Sequence, residues 1–145
     1  MVEPIIIGVP DVCKWTKDAN SKVVCLNRYT SAGTGARTFH DVQTQANYTP
    51  PTDKKFVMLQ YYFNYKDSAN SGGSDTGGDF YFGTGTDTTT GNTQFFQEYS
   101  GSSTDGWQSN SQFYFELSAG DYITVDPNGS NCIFSGQILG VEVDA

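Results

Sequence analysis

A single histidine, His40, is the only imidazole this 145-residue chain has for acid–base work. Its neighbour Asp41 follows directly in sequence, so in a strand the two side chains point to opposite faces. No Gly-x-Ser-x-Gly turn stands near them to present a nucleophile. We therefore expect no catalytic residues and no enzyme. Asp79, Glu98, Asp105 and Glu116 are the acids from which a glycoside-cleaving pair would be drawn, but their spacing sets no two of them at a working separation. Asp67, Asp75 and Asp79, and the stretch from Asp126 to Asn131, offer hard oxygen donors of the kind calcium takes. Neither has EF-hand spacing, and Asp and Asn in turns commonly bond their own backbone, so no metal and no cofactor are expected. The three cysteines, Cys13, Cys25 and Cys132, lack metal-ligand spacing and are odd in number. They read as buried free thiols of a reducing compartment.

Aromatic side chains are the other chemical resource: ten Phe, nine Tyr and two Trp. Trp107 and Tyr99 are candidates to stack on sugar rings. Phe80, Tyr81, Phe82, Phe95, Phe96 and Tyr114 read differently. Consecutive aromatics in a strand occupy both faces of its sheet, while a two-sheet sandwich covers only one face of each. The uncovered face calls for another subunit, and cyclic symmetry closes such contacts without leaving further sticky edges.

These residues need strands to position them. Lys22–Leu26, Thr38–Val42, Phe56–Phe63, Phe80–Gly83, Gln94–Tyr99, Phe113–Leu117, Tyr122–Val125 and Ile133–Val143 all have strand-like composition or alternation. Gly120-Asp121 and Asn128-Gly129 supply turns between the last three. Residues 66–79, 84–93 and 100–110 are polar loops, the last with Trp107 at its centre. No window repeats apolar residues at helical spacing. The fold class expected is all-β: a two-sheet antiparallel β-sandwich, or jelly roll, of about 8–10 strands with an extended N-terminal arm. The domains are then an arm over residues 1–20 and a sandwich over 21–145. Within the arm, Pro4 and Pro10 bracket an apolar run that cannot be helical. Ile5, Ile6, Ile7, Val9 and the following Trp15 are its docking residues, suited to strand addition on a partner. No basic region precedes that short run, so it reads as neither a signal peptide nor a membrane span.

Charge divides the chain. All eight Lys and Arg lie at or before Lys66, and residues 67–145 carry eleven acids and no base. A second half without cations excludes the phosphate neutralisation that nucleic-acid binding needs, and anionic lipid should repel it. The first half is the one that would face an acidic partner.

Three segments carry a family resemblance. Tyr48-Thr49-Pro50-Pro51-Thr52-Asp53-Lys54-Lys55-Phe56 resembles the opening of small jelly-roll domains on bacteriophage virions. Phe115-Glu116-Leu117-Ser118-Ala119-Gly120-Asp121-Tyr122-Ile123 is similar to their Ala-Gly-Asp hairpin, which recurs in the C1q and tumour-necrosis-factor-like folds. Phe134 to Glu142 resembles their last strand. The likeness spans roughly residues 48–145. It implies a homotrimer that decorates or cements a phage capsid, with the major capsid protein as partner. The chain would then be made in the host cytoplasm and sit on the capsid exterior. The alternative it implies is a glycan-binding tip domain of a phage tail or head fibre. A cement protein would stand alone from Met1, whereas a fibre tip would follow upstream repeats, and this difference favours cement.

Overall fold

The computed structural model describes residues 21–30, 35–67, 75–102, 107–111, 115–127 and 132–145. The arm residues Ile5, Ile6, Ile7, Val9 and Trp15, together with Tyr114 and Cys13, lie outside them. Ten strands follow in order: β1 (Lys22–Thr30), β2 (Arg37–Thr38), β3 (His40–Asp41), β4 (Lys54–Asp67), β5 (Asp75–Gly83), β6 (Thr93–Ser102), β7 (Trp107–Ser111), β8 (Phe115–Leu117), β9 (Tyr122–Pro127) and β10 (Cys132–Asp144). Every pairing is antiparallel. One sheet runs β3-β1-β10-β4-β7 with β8 also on β4, and the other runs β2-β9-β5-β6. The expected all-β, two-sheet sandwich is the observed architecture.

Alternation explains which side chains meet between the sheets. Along β10, Phe134 and Ile138 point inward at every second position, and Gly136 between them leaves room for rings. In β4, Tyr61, Phe63 and Tyr65 do the same. Phe80 of β5 reaches across from the other sheet to stack on Phe63, with ring centroids 4.4 Å apart and planes inclined by 11°. Phe39 lies beside both, where the chain leaves one sheet for the other: its N–H donates to the Ile123 carbonyl of β9. Glu142 is a buried acid, and the Tyr48 hydroxyl donates to its Oε1 at 2.9 Å. That bond satisfies a group that would otherwise be costly to bury. It also pushes the Tyr48 phenol far above its usual range, burial being the larger cause.

Three sequence expectations change here. The Ala-Gly-Asp segment makes a turn but no hairpin. Ser118 accepts from the Asp121 N–H, and Gly120 adopts φ 88°. Yet Leu117 pairs with Phe56 in one sheet, while Tyr122 pairs with Gly83 in the other. The turn is a sheet-to-sheet crossing, and so is the link from β9 to β10. Second, residues 100–110 are not one loop. β6 continues through Ser102, and Trp107 opens β7, opposite Tyr65. Third, Cys25 is exposed although Cys132 is buried. Cys25 sits on the outer side of β1, between the inward-facing Val24 and Leu26.

Candidate functional site

The aromatics expected to form a subunit interface turn mostly inward. Phe80 is only 1% exposed and belongs to the subunit's own core. Between the pairs Phe80–Phe96 and Tyr81–Gln94 the ladder skips a residue, Phe95. This β-bulge re-aims the strand, so Phe95 and Phe96 both pack on the core rather than on opposite faces. Phe95 stacks on Phe115 of the opposite sheet at 4.3 Å, and Phe82 meets both rings edge-on. These contacts close one end of the sandwich. Of the described members of the expected set, only Tyr81 stays on the outer face, alternating with the inward Phe80 and Phe82. The backbone places Tyr99 in β6 and Trp107 in β7, the strands that border their respective sheets.

Exposed apolar surface lies elsewhere, on the outer face of the six-stranded sheet. Val23, Tyr29, Val42, Tyr62 and Leu139 are its large members, exposed between 38% at Tyr62 and 63% at Tyr29. Register lines them up in rows. Val23 pairs with Val141, which pairs with Val57, though Val141 and Val57 are themselves buried; Cys25 pairs with Leu139, which pairs with Gln60; Asn27 pairs with Gln137, which pairs with Tyr62. Val42 joins the second row by donating its N–H to the Cys25 carbonyl. Every side chain in these rows is formally neutral. Glu116, on the neighbouring β8, is matched by Lys55 at 3.2 Å. The chain as a whole carries −8, so neutral rows at the centre of this face stand out, with Glu116 next to Val57 and Lys55 beside it at their margin. Sequence reading missed this face because each strand contributes only one or two of its apolar residues, and register alone assembles them.

Asp105 lies outside the described residues, and among those described the catalytic candidates do not converge. His40 meets Arg28, whose Nη1 lies 2.5 Å from Nε2 and 3.3 Å from Nδ1. Arginine can only donate, so the imidazole nitrogen it meets presents its lone pair and the ring is neutral. Burial, and then the Arg28 charge, hold the His40 pKa below the ordinary imidazole range. Asp41 faces away and accepts from the N–H groups of Gln43 and Thr44 in a turn. Asp79 and Glu116 occupy the outer faces of opposite sheets, too far around the sandwich to form a glycosidase pair. Among the described residues, no three His, Cys, Asp or Glu side chains gather where they could hold a metal, and no helix is long and apolar enough to cross a membrane.

Asp79 does meet another acid. It pairs in register with Asp126 of β9. Burial first, and the Asp79 charge second, push the Asp126 carboxyl above its usual range, with Arg37 opposing. A carboxyl whose folded pKa is raised binds its proton more tightly folded than unfolded. Its stabilising contribution is therefore full below the unfolded value and lost as pH rises through the folded one. Asp126→Asn removes that loss and should raise stability at pH 7 by about 0.2–1 kcal/mol, the scale of a cross-strand charge pair. Thermal melts at pH 7 and pH 3 check this. A gain at pH 3 as large as that at pH 7 would place the effect outside the charge pair.

These observations define a class: a two-sheet antiparallel jelly-roll sandwich with an aromatic interior and one outer face that carries neutral, partly apolar rows. The sequence matches no protein-family model and no curated protein. In three dimensions the chain is similar to the structure of Eiger TNF from S. frugiperda, with TM-score 0.48 and 14% identity over 87% of this chain and 95% of that one. It is also similar to murine APRIL, with TM-score 0.44 and 15% identity over 81% of this chain and 98% of that one.

Proposed function

We propose that this chain is a non-enzymatic structural protein that works as a homotrimer, its subunits meeting through the outer face of the six-stranded sheet. The observation that carries this reading is the block of neutral side chains with Val23, Val42, Tyr62 and Leu139 exposed on that face. Copies of a chain with net charge −8 repel one another through most of their surface. They can approach without that penalty only where apolar, uncharged rows face outward. Burying Val23, Val42, Tyr62 and Leu139 then contributes about 25 cal/mol for each Å² of apolar surface removed from water. A closed ring of three leaves no open end for further addition.

The finer part of the proposal is location. We read the trimer as an outer decoration or cement protein of a bacteriophage capsid, supported by the resemblance of residues 48–56, 115–123 and 134–142 to virion jelly rolls. Cementing works by adding buried area across neighbouring shell subunits. The cationic first half supplies the charge to meet an acidic shell, and the arm over residues 1–20 supplies the apolar contact.

Sedimentation and light scattering test the assembly. The wild-type chain should run at three times its 15.8 kDa mass, and Leu139→Asp combined with Val23→Asp should run as a monomer. A wild-type monomer at high concentration, or a double variant that stays trimeric, would refute the interface. Deleting residues 1–12 should leave the trimer intact but abolish co-sedimentation with shells of the major capsid protein. Full retention of shell binding would remove the arm's role.

A further inference from the structure

On the β3-β1-β10 side of the six-stranded sheet lies a cavity of about 290 Å³, at the small end for ligand pockets. Arg28 is the one cation lining it, with His40, Asn27, Tyr29, Gln45 and Gln137 around it, and no acid takes part. The chain holds sixteen Asp and Glu, so an arginine wall without a carboxylate is unexpected on composition. The ion pairs among the described residues are Lys54–Asp144 and Lys55–Glu116, and neither involves Arg28. Its Nε is buried and has no hydrogen-bond partner. Its Nη1 donates to a neutral imidazole, which offers no compensating charge. Asp87 acts on Arg28 through its charge without forming a direct ion pair, so the half-buried guanidinium keeps a donor whose desolvation cost a bound anion would offset.

We propose that this cavity is a carboxylate-binding site, in which Arg28 takes one acidic group while the amides of Asn27, Gln45 and Gln137 bond the polar groups beside it. The guanidinium fork matches a planar carboxylate in two parallel hydrogen bonds. One lining cation balances one negative charge, whereas a phosphate monoester brings close to two. The exposed Tyr29 ring gives an apolar wall at the rim. The volume accommodates one ring or one side chain. Two sources share this chemistry: a free acidic sugar, or an Asp or Glu of an adjoining copy, because the cavity borders the neutral face described above. Burial lowers the Arg28 pKa, and the charge of Asp87 raises it again; the guanidinium remains the cation of the site.

Calorimetric titration of the full chain with glucuronate, with N-acetylaspartate amide and with neutral glucose at fixed ionic strength tests the site. Glucuronate or the aspartate derivative should bind saturably, glucose should not, and excess acetate should compete. Arg28→Gln should weaken binding by about tenfold or more, as expected for losing a charged hydrogen-bond partner, and Arg28→Lys should retain part of it. Preference for glucuronate assigns the sugar source. If the group comes from an adjoining copy, Arg28→Gln lowers the association constant, and the acids bind only after the assembly is dissociated. Should Arg28→Gln fail to fold, Tyr29→Ala and Gln137→Ala change exposed side chains and should each weaken binding. Absence of saturable binding up to about 50 mM acid, well beyond millimolar affinity, combined with unchanged association of Arg28→Gln, overturns the proposal. So does equal affinity of wild type and all the variants. The trimer reading is tested separately by Leu139→Asp with Val23→Asp, so either idea can fail without the other.

Discussion

Phe63→Ala should remove about 3–5 kcal/mol of stability, the cost of truncating a fully buried aromatic. Phe63 lies where the two sheets touch. It stacks on Phe80 from the opposite sheet at 4.4 Å and on Tyr61 from its own strand at 4.6 Å. Phe134 and Phe39 flank it at 5.5 and 6.2 Å. Losing the ring empties space that no neighbour can refill, because these rings extend from backbones tied into separate ladders. Whole-domain stability is typically about 5–15 kcal/mol, so this single truncation removes roughly a fifth of it or more. Chemical denaturation checks the value, and Phe63→Leu, which keeps most of the volume, should lose clearly less. A cost below about 1 kcal/mol for Phe63→Ala would mean that this stack does not hold the sheets together.

Gly140→Ala should be nearly as damaging, by about 2–3 kcal/mol, although it adds only one carbon. Gly140 lies in β10 beside the irregularity in pairing that separates Leu139 from Gly140. A Cβ there would overlap the buried Phe56 ring and stand 2.5 Å from the Val57 carbonyl oxygen. The ring can turn only by displacing Tyr48, which packs against it at 5.3 Å and bonds Glu142. The carbonyl belongs to the adjacent strand and cannot move without shifting the ladder. Phe56→Leu in the Gly140→Ala background should recover part of the loss, and a double-mutant cycle in the same denaturation assay measures that coupling. Strict additivity would show that the two sites do not compete for the same space.

Strand existence was legible because burial imposes a period of two. Phe134, Gly136 and Ile138 alternate with Ser135, Gln137 and Leu139, and the structure keeps that alternation. The choice of sheet was not legible. Leu117, Tyr122 and Ile133 follow one another through short links, which suggests a meander, but successive strands belong to alternate sheets. Local turn chemistry is the same for a hairpin and for a crossing between packed sheets. The bulge at Phe95 also left no trace, since no glycine or proline marks it. It nonetheless reversed the reading of the aromatic faces, turning an expected interface into interior.

The Arg28 cavity had a signal that went unused. Arg28 has the same parity as Val24 and Leu26 in β1, yet its guanidinium meets His40, the register partner of Asn27, so a cation interrupts the inward-facing set. A strand ended at Leu26 hides this; the observed strand runs to Thr30. His40 and Gln137 then reach Arg28 only through β1's pairing with β3 on one side and β10 on the other.

By itself the sequence determined the secondary structure class, the acidic second half and the shortage of catalytic groups. Composition and short-range alternation act within a few residues and need no partner. Tertiary structure alone decided which neutral and apolar side chains line up on one outer face, and which arginine is left without a direct ion pair. Both depend on register between strands far apart in the chain, where a shift of one residue would exchange every inward side chain for an outward one.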